Sequence, residues 1–407
     1  MNPMPNSPES ANPAPSNPGS APLAAAPIAY PLRFTGKGSE YFKIWIVNLL
    51  LILVTVGLYY PWAKLRKQKY LHRNLILDGA AFDYHAKPKA LFIGMVVALA
   101  LSGAYFLMGS LDSLPALLVI TGILCALVPW LIWKAFRFRL AVTTYRALPF
   151  KFVGSLKEAY ILIAPQFVVL ALIDWALMGI KDDAAEGLPP SLKWVGIVYL
   201  LLLVFVPALH LFLKKYQHNH YQWTSLQTQI DLGYQRMYAE YLKYFGIVFL
   251  CVAAFTAAVT AFIAAMSVSI PKVGPGSGVF SFAMFFGFIA LGLSYAALYA
   301  VIASQFTARF QNLIWNQTTA QGVVFKSELQ PWVLFKLYFK NSLLTLITAG
   351  IYWPFAAMKV AQLRAASMTV HADAPLMMLA AARLGEAREQ NAVGDAVGDV
   401  FGVDIGM

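Results

Sequence analysis

Residues 48–63 read NLLLILVTVGLYYPWA, and residues 341–356 read NSLLTLITAGIYWPFA. At one constant offset the two stretches share Asn48/Asn341, Thr55/Thr348, Gly57/Gly350, Tyr59/Tyr352, Pro61/Pro354 and Ala63/Ala356. The match extends outward to Phe42/Phe335 and Lys43/Lys336. Each is an apolar run carrying one amide, one hydroxyl and then Gly-x-Tyr-x-Pro. Such a run reads as a membrane segment with a weak point, because glycine and proline both disfavour an unbroken helix. Gly57, Pro61, Gly350 and Pro354 are therefore the candidate hinge residues.

Around this pair the chain has the composition of a polytopic membrane protein. Of 407 residues, 59% are hydrophobic and 12% charged, with a mean hydropathy of +0.62, which lies outside the soluble range. Apolar runs fall near 44–62, 91–109, 114–133, 159–180, 194–213, 244–267, 279–303 and 335–357, each able to cross a hydrocarbon core of about 30 Å. The expected fold is all-α, with six to eight transmembrane helices. Cys125 and Cys251 both sit inside such runs and read as small apolar fillers rather than a disulfide framework. Residues 1–30, rich in Pro, Asn, Ser and Ala without Lys or Arg, are expected to be a disordered tail rather than a secretory signal. Residues 31–372 are expected to form the membrane domain, and 373–407 a loose C-terminal tail.

The net charge of +12 has a topological reading. Segments 64–89, 134–157, 214–243 and 303–340 hold 21 of the 31 Lys and Arg, while the short alternate connections hold few. By the positive-inside rule the four long segments are cytoplasmic, facing anionic lipid headgroups. No nucleic-acid motif accompanies the charge, so DNA and RNA are not expected partners. These segments also carry short β elements. Asp78-Gly79 between Asn74 and Phe82-Asp83-Tyr84 is a hairpin signal, because a type I′ turn needs positive φ at both central residues. Pro61-Trp62 lies as far from Phe82 as Pro129-Trp130 lies from Phe150, and Asn316, Gly322 and Phe325 follow nearly the spacing of Asn74, Gly79 and Phe82. We read a repeated unit of descending helix, basic elbow, short β element and ascending helix. The segment from Tyr216 to Tyr244 is too divergent to count as a copy by itself.

That unit creates a conflict in both end runs. Lys43 and the β-like stretch from Leu32 precede the first, and Lys64, Arg66, Lys67 and Lys69 follow it; Lys336 and Lys340 precede the last, and Lys359 and Arg364 follow. A simple span cannot begin and end on one side. Either one end breaks the charge rule, or both runs turn back at Thr-x-Gly as broken hairpins, which is allowed only where the backbone is shielded.

Asn48, Thr55, Asn341 and Thr348 form the candidate polar membrane site, where repeat-related broken helices would face each other; the competing reading is ordinary helix–helix hydrogen bonding. Asp174 is an intramembrane acid. His218-Asn219-His220 resembles half a metal site, but without a third ligand it reads as a solvated loop. The tryptophans and tyrosines at run ends, among them Trp45, Trp62, Trp332 and Trp353, read as interfacial anchors. Tyr234, Tyr238 and Tyr241 form a helical stripe expected on the membrane surface. The chain has no phosphate-cradling glycine loop, H-E-x-x-H or G-x-S-x-G, so no catalytic, cofactor-binding or metal-ligating residue is assigned. An enzyme would need a polar cluster at the inner interface, around His72, Arg73, His85, His218 and His220.

Phe34-Thr35-Gly36, Asn48, Thr55-x-Gly57-x-Tyr59-x-Pro61-Trp62-Ala63 and the series Arg66, Tyr70, Asn74, Gly79, Phe82 resemble the YjgN family of bacterial inner-membrane proteins of unknown function. The resemblance covers residues 31–372. It departs after Ala356, where Ala-Met-Lys359-Val-Ala-Gln-Leu-Arg364 replaces the family's basic and aromatic residues, so equal roles for the two copies do not follow. It implies a multi-pass protein of the inner membrane, with no activity, cofactor or catalytic residue to carry over. Two functions remain open: a transporter or channel for a small solute or lipid, and a non-catalytic scaffold that binds a partner through its cytoplasmic β elements.

Overall fold

The computed structural model describes residues 27–111, 113–183, 191–273, 278–379 and 381. Helical hairpins alternate with pairs of short strands. Strands β1 (Ile28–Pro31) and β2 (Arg33–Phe34) lead into α1 (Gly38–Val54) and α2 (Tyr60–Arg73), then β3 (Leu75–Leu77) and β4 (Ala80–Tyr84). Helices α3 (Pro88–Ser110) and α4 (Leu114–Ala141) precede β5 (Thr143–Tyr145) and β6 (Leu148–Phe152). Next come α5 (Leu156–Asp183), α6 (Ser191–His218), β7 (Tyr221–Trp223) and β8 (Leu226–Ile230). Helices α7 (Tyr234–Val273) and α8 (Gly278–Trp315) precede β9 (Thr318–Ala320) and β10 (Val323–Ser327), and α9 (Pro331–Ile347), α10 (Trp353–Ala366) and β11 (Met368–Ala372) finish the series.

The strands form one antiparallel ring. Following the pairing from β1 through β11, β10 and so on down to β3 arrives at β2, which is separated from β1 only by Leu32. Ile28 pairs with Ala372 on one side of this N-terminal segment, and Phe34 pairs with Leu75 on the other. The two chain ends thus supply the last strand pair, and closure removes the bare edges of an open sheet. The turns explain the tight hairpins. Asp78 and Gly79 both have positive φ, 47° and 71°, as the Asp-Gly signal predicts. Arg146 and Ala147 take the same conformation, at 50° and 64°, without any glycine to announce it. The hairpin β7–β8, in the stretch too divergent to read as a copy, has the same three-residue and five-residue strands as its neighbours.

Inward-facing side chains fill the ring. Tyr145, Trp223 and Leu226 pack with Leu77, Phe82, Leu148 and Phe150, and Val323, Val370 and Ala372 pack with Tyr30 and Phe325. Ordered structure reaches beyond 31–372 at both ends. Ile28 already belongs to β1, and a turn of helix at 376–379 lays Leu376 and Leu379 against the ring core. Leu379 touches both core clusters, so this turn stoppers the end of the ring where the hairpin turns lie.

The helices leave the other end of the ring. Each packs on its neighbour in chain order, and α10 packs on α1, closing a second ring above the first. Constant spacings join the two. Pro61, Pro129, Pro207 and Pro354 each lie 14 residues before the first residue of a strand, and Ser304 holds that place in α8. All five are buried. From the end of each inner strand to the start of the next helix is four residues, as in Phe34 to Gly38 and Ser327 to Pro331.

Both end runs turn back, which settles the charge conflict. α1 stops at Thr55, whose hydroxyl donates to the Leu51 carbonyl at 2.7 Å and accepts the Tyr59 N–H at 3.0 Å. Val56 and Gly57 take positive φ, 50° and 89°, and the Gly57 N–H donates to Ile52 O, a Schellman-type stop. Pro61 sits in the first turn of the returning helix, where its missing N–H costs nothing. The closing run repeats each feature with Thr348, Ala349 at 48°, Gly350 at 92° and Pro354. The simple-span reading of residues 44–62 therefore does not hold. Among the described residues, five helices are long and apolar enough to cross a membrane: Pro88–Ser110, Leu114–Ala141, Leu156–Ile173, Tyr234–Ser267 and Met284–Trp315. The run 194–213 lies in α6, whose side chains are only partly described.

Candidate functional site

The four residues expected to share a polar site serve separate local jobs. Thr55 and Thr348 are spent on the turns at the hairpin tips. Asn48 and Asn341 are buried, at 6% and 5% exposure. Arg66 Nη1 reaches Asn48 Oδ1 at 3.5 Å across the first hairpin. Asn341 donates to the Ala356 carbonyl at 3.4 Å, and its Oδ1 has no partner among the described residues. Lys359, which matches Arg66 by the constant offset, instead donates to Tyr352 Oη at 2.8 Å. A shallow trough of about 700 Å3 runs along α7 between Phe249 and Ala264, and none of the four lines it. Asp174 lies on α5, and its side chain falls outside the described residues.

The densest polar structure is where helices meet the strand ring. Phe34 and Phe152 lie so close to Gly36 and Gly154 that an added Cβ would come within 2.6 and 2.7 Å of their rings, so a larger residue there would push the ring aside. Tyr70 Oη is within hydrogen-bond reach of both the N–H and carbonyl of Lys37, and Tyr216 Oη donates to the Ser155 carbonyl in the matching place. Trp133 Nε1 and Gln362 Nε2 donate to the Gly154 and Gly36 carbonyls. On the other side of the ring, Asn316 brackets the backbone of Ser327, and Asn312 brackets that of Leu329. Arg364 donates to Gln311 Oε1 at 2.7 Å. Apart from the Arg364–Gln311 pair, which links two side chains, these groups satisfy backbone N–H and C=O that leave the sheet without a ladder partner, which is a structural task.

The histidines do not converge. His72 binds the Gln68 carbonyl, while Arg73 pairs with Asp83 at 3.0 Å and His85 lies beside the same carboxylate at 3.7 Å. The hydrogen bond from Arg73 holds Asp83 below the usual carboxylate range. His220 faces Glu158 at 3.4 Å, far along the chain. No group of three His, Cys, Asp or Glu among the described residues is placed to hold a metal. His218 departs most from its sequence reading. It is 4% exposed, bonded through Nδ1 to Thr318 Oγ1 at 3.0 Å and set against the Trp315 ring. The Tyr234/Tyr238/Tyr241 stripe divides: Tyr241 is buried and Tyr238 donates to the Val204 carbonyl of α6, while Tyr234 stays exposed.

Burial, with Lys214 adding repulsion, lowers the His218 pKa to about 4 from its ordinary 6.5. His218 lies past the apolar run of α6, at the strand ring. The unfolded chain takes up the proton near pH 6.5 and the folded chain only near 4, so stability falls as pH drops through that window and is indifferent to His218 above it. Melting temperatures measured from pH 7.5 to 4 are expected to decline below 6.5, and less steeply in His218→Gln. Identical slopes in the two proteins would remove this account.

The family described as bacterial protein of unknown function (DUF898) matches residues 29–400. The chain belongs to this family. Curated relatives of the chain include proteins named inner membrane protein YjgN. The one from Salmonella typhimurium is 31% identical over 176 residues, 42% of this chain and 44% of that protein. The Escherichia coli O157:H7 protein is 31% identical over 127 residues, 31% of this chain and 32% of that one. The chain thus aligns with less than half the length of these YjgN relatives. No solved structure matches it. The YjgN resemblance read from Thr55-x-Gly57-x-Tyr59-x-Pro61 agrees with this membership, and the five apolar helices agree with a multi-pass inner membrane protein.

Proposed function

We propose that this member of the YjgN family is a non-catalytic, non-transporting platform of the bacterial inner membrane: a helix ring embedded in lipid that holds a rigid strand ring at the cytoplasmic surface. The ring is built from five copies of one unit, a helical hairpin followed by a strand pair, the fifth strand pair coming from the two chain ends. The recurrent 14-residue and four-residue spacings support that reading. In this reading the hairpins α3–α4, α5–α6 and α7–α8 span the bilayer, and the concentration of Lys and Arg near the strands supports an inside position for them, against anionic headgroups.

One observation carries the choice of function. α3 packs chiefly between α2 and α4, and not one of its residues is buried, yet beyond Lys89 it carries no charge and is apolar all round. A helix with apolar faces both inside and outside the ring lies in lipid on both sides, since a wet pore needs a polar face. The strand ring below is filled by Tyr145, Trp223, Phe82 and Phe150 and stoppered by Leu376 and Leu379. The outer face of that ring presents Lys151, Gln229, Val324 and Lys326 as an exposed surface for a partner. A transporter needs a polar cavity on its axis, and Asn48, Thr55, Asn341 and Thr348 lend no support to one. Single cysteines at each of residues 96–103, in a Cys125→Ala/Cys251→Ala background, test this in intact membranes. A water-soluble maleimide is expected to leave all eight unlabelled. Labelling that repeats every three to four residues would reveal a wet face and overturn the proposal.

A further inference from the structure

The two short hairpins lie side by side, because α10 packs against α1. We propose that together they form a wedge inserted among the acyl chains of one leaflet only, the leaflet next to the strand ring. Both feet of the first hairpin stand on the strand-ring side: the Lys37 N–H donates to Tyr70 Oη at 2.9 Å, and the Thr35 N–H donates to the Asn74 carbonyl. Whatever depth the hairpin reaches, it returns.

Charge limits that depth. Lys64 follows Tyr60 by four residues, so the charge-free part of α2 is only ~6 Å tall at 1.5 Å per residue. From Lys43 to Val54 on α1 is ~17 Å, and from Lys340 to Ile347 on α9 is ~11 Å. All fall well short of the ~30 Å hydrocarbon core, even with the lysines snorkelling back towards headgroups. The tips themselves are apolar and uncovered. Val56 is 91% exposed and Ile347 71%, and Leu53, Val54, Leu58, Leu346 and Ile351 are exposed beside them. Below the tips, cations lie over aromatic rings, with Arg66 on Tyr59, Lys67 on Trp353 and Lys359 on Tyr352, the pairing of an interfacial rim. An apolar cap above a basic, aromatic rim fits an anionic-lipid monolayer. It follows that the helix ring is four helices short in the opposite leaflet, between α8 and α3, which opens its inner faces to lipid from the side. Only that consequence rests on the lipid-ring reading above.

The test uses the full-length Cys125→Ala/Cys251→Ala protein with one new cysteine at a time: Val56→Cys and Ile347→Cys at the tips, and Leu111→Cys at the far turn of α3–α4 as a spanning control. In proteoliposomes, an impermeant maleimide should label Leu111→Cys from the side opposite the strand ring and label neither tip from either side. A bimane placed on each tip before reconstitution should be quenched by phospholipids brominated on their acyl chains. Labelling of a tip from the far side would mean that the hairpin crosses, and labelling from the near side that it lies outside the bilayer. Either result, or a tip without bromolipid quenching, overturns the wedge. The scan of residues 96–103 decides the lipid ring separately, so each proposal can fail while the other stands.

Discussion

Truncation after Ser367 is expected to abolish accumulation of folded protein, whereas a stop after residue 381 leaves it at the full-length level. The shorter chain lacks β11, which pairs with β1 from Ile28↔Ala372 to Pro31↔Thr369 and with β10 from Val323↔Ala372 to Ser327↔Met368. Its removal bares two strand edges and uncovers Val323 and Phe325. Each lost backbone hydrogen bond removes about 0.5–1.5 kcal/mol net, and the loss of buried Val370, Ala372 and Leu376 adds several more. That total is comparable to the whole stability of a typical domain, about 5–15 kcal/mol. A stop after Ala372 keeps the ring but loses Leu376 and Leu379, and should fall between the other two. The readout is membrane-fraction abundance with size-exclusion profile after extraction. Wild-type behaviour of the 367 truncation would mean that the ring does not need closing.

The second large effect belongs to Tyr145. It is almost fully buried in the strand ring, its centroid 4.8 Å from Phe82 and 5.2 Å from Trp223, with Oη donating to the Leu77 carbonyl at 2.9 Å. Replacing it by alanine leaves a ring-sized cavity among aromatic neighbours that are themselves held by backbone closure and cannot collapse into it. We expect a loss of about 3–5 kcal/mol, the usual cost of an aromatic core truncation. Tyr145→Phe keeps the packing and gives up one hydrogen bond, at about 1 kcal/mol. The outward-facing Lys151→Ala should stay within about 0.5 kcal/mol. Denaturant unfolding followed by tryptophan fluorescence ranks the three, and equal losses for Tyr145→Ala and Lys151→Ala would contradict a filled ring.

How far each feature was legible follows from how local its cause is. The Asp78-Gly79 hairpin was readable because its positive φ values are written into those two residues. The matching turn at Arg146-Ala147 was not, since neither residue favours that conformation and the flanking strands impose it. Gly57 and Gly350 marked the breaks in the end runs. Whether the chain then went on or came back was open, because hydropathy does not record direction; Tyr70 on Lys37 decided it. Asn48 stood out as a polar residue in an apolar run, whereas its partner Arg66 looked like one more basic residue. His218 passed as a loop residue and Asn312 drew no reading, while Asn316 showed only as a spacing match to Asn74, since their roles depend on Ser327, Leu329 and Thr318 arriving from elsewhere.

The sequence by itself determined that this is a basic, multi-pass membrane chain with two matched runs, their breaking points, and short β elements on the positive side. Those are properties of windows of a few to some twenty residues: transfer free energy, turn dihedrals and charge placement. Only the tertiary structure decided that the β elements join into one ring, that residues 28–34 and 368–372 close it, and that the end runs are hairpins packed against each other. The closing pairings, β1 with β11 and α1 with α10, link residues roughly 300 or more positions apart, and no single partner carries the signal. Their free energy comes from the contact itself, once the loop-closure entropy of the whole intervening chain has been offset by nine other strand partners and ten helices.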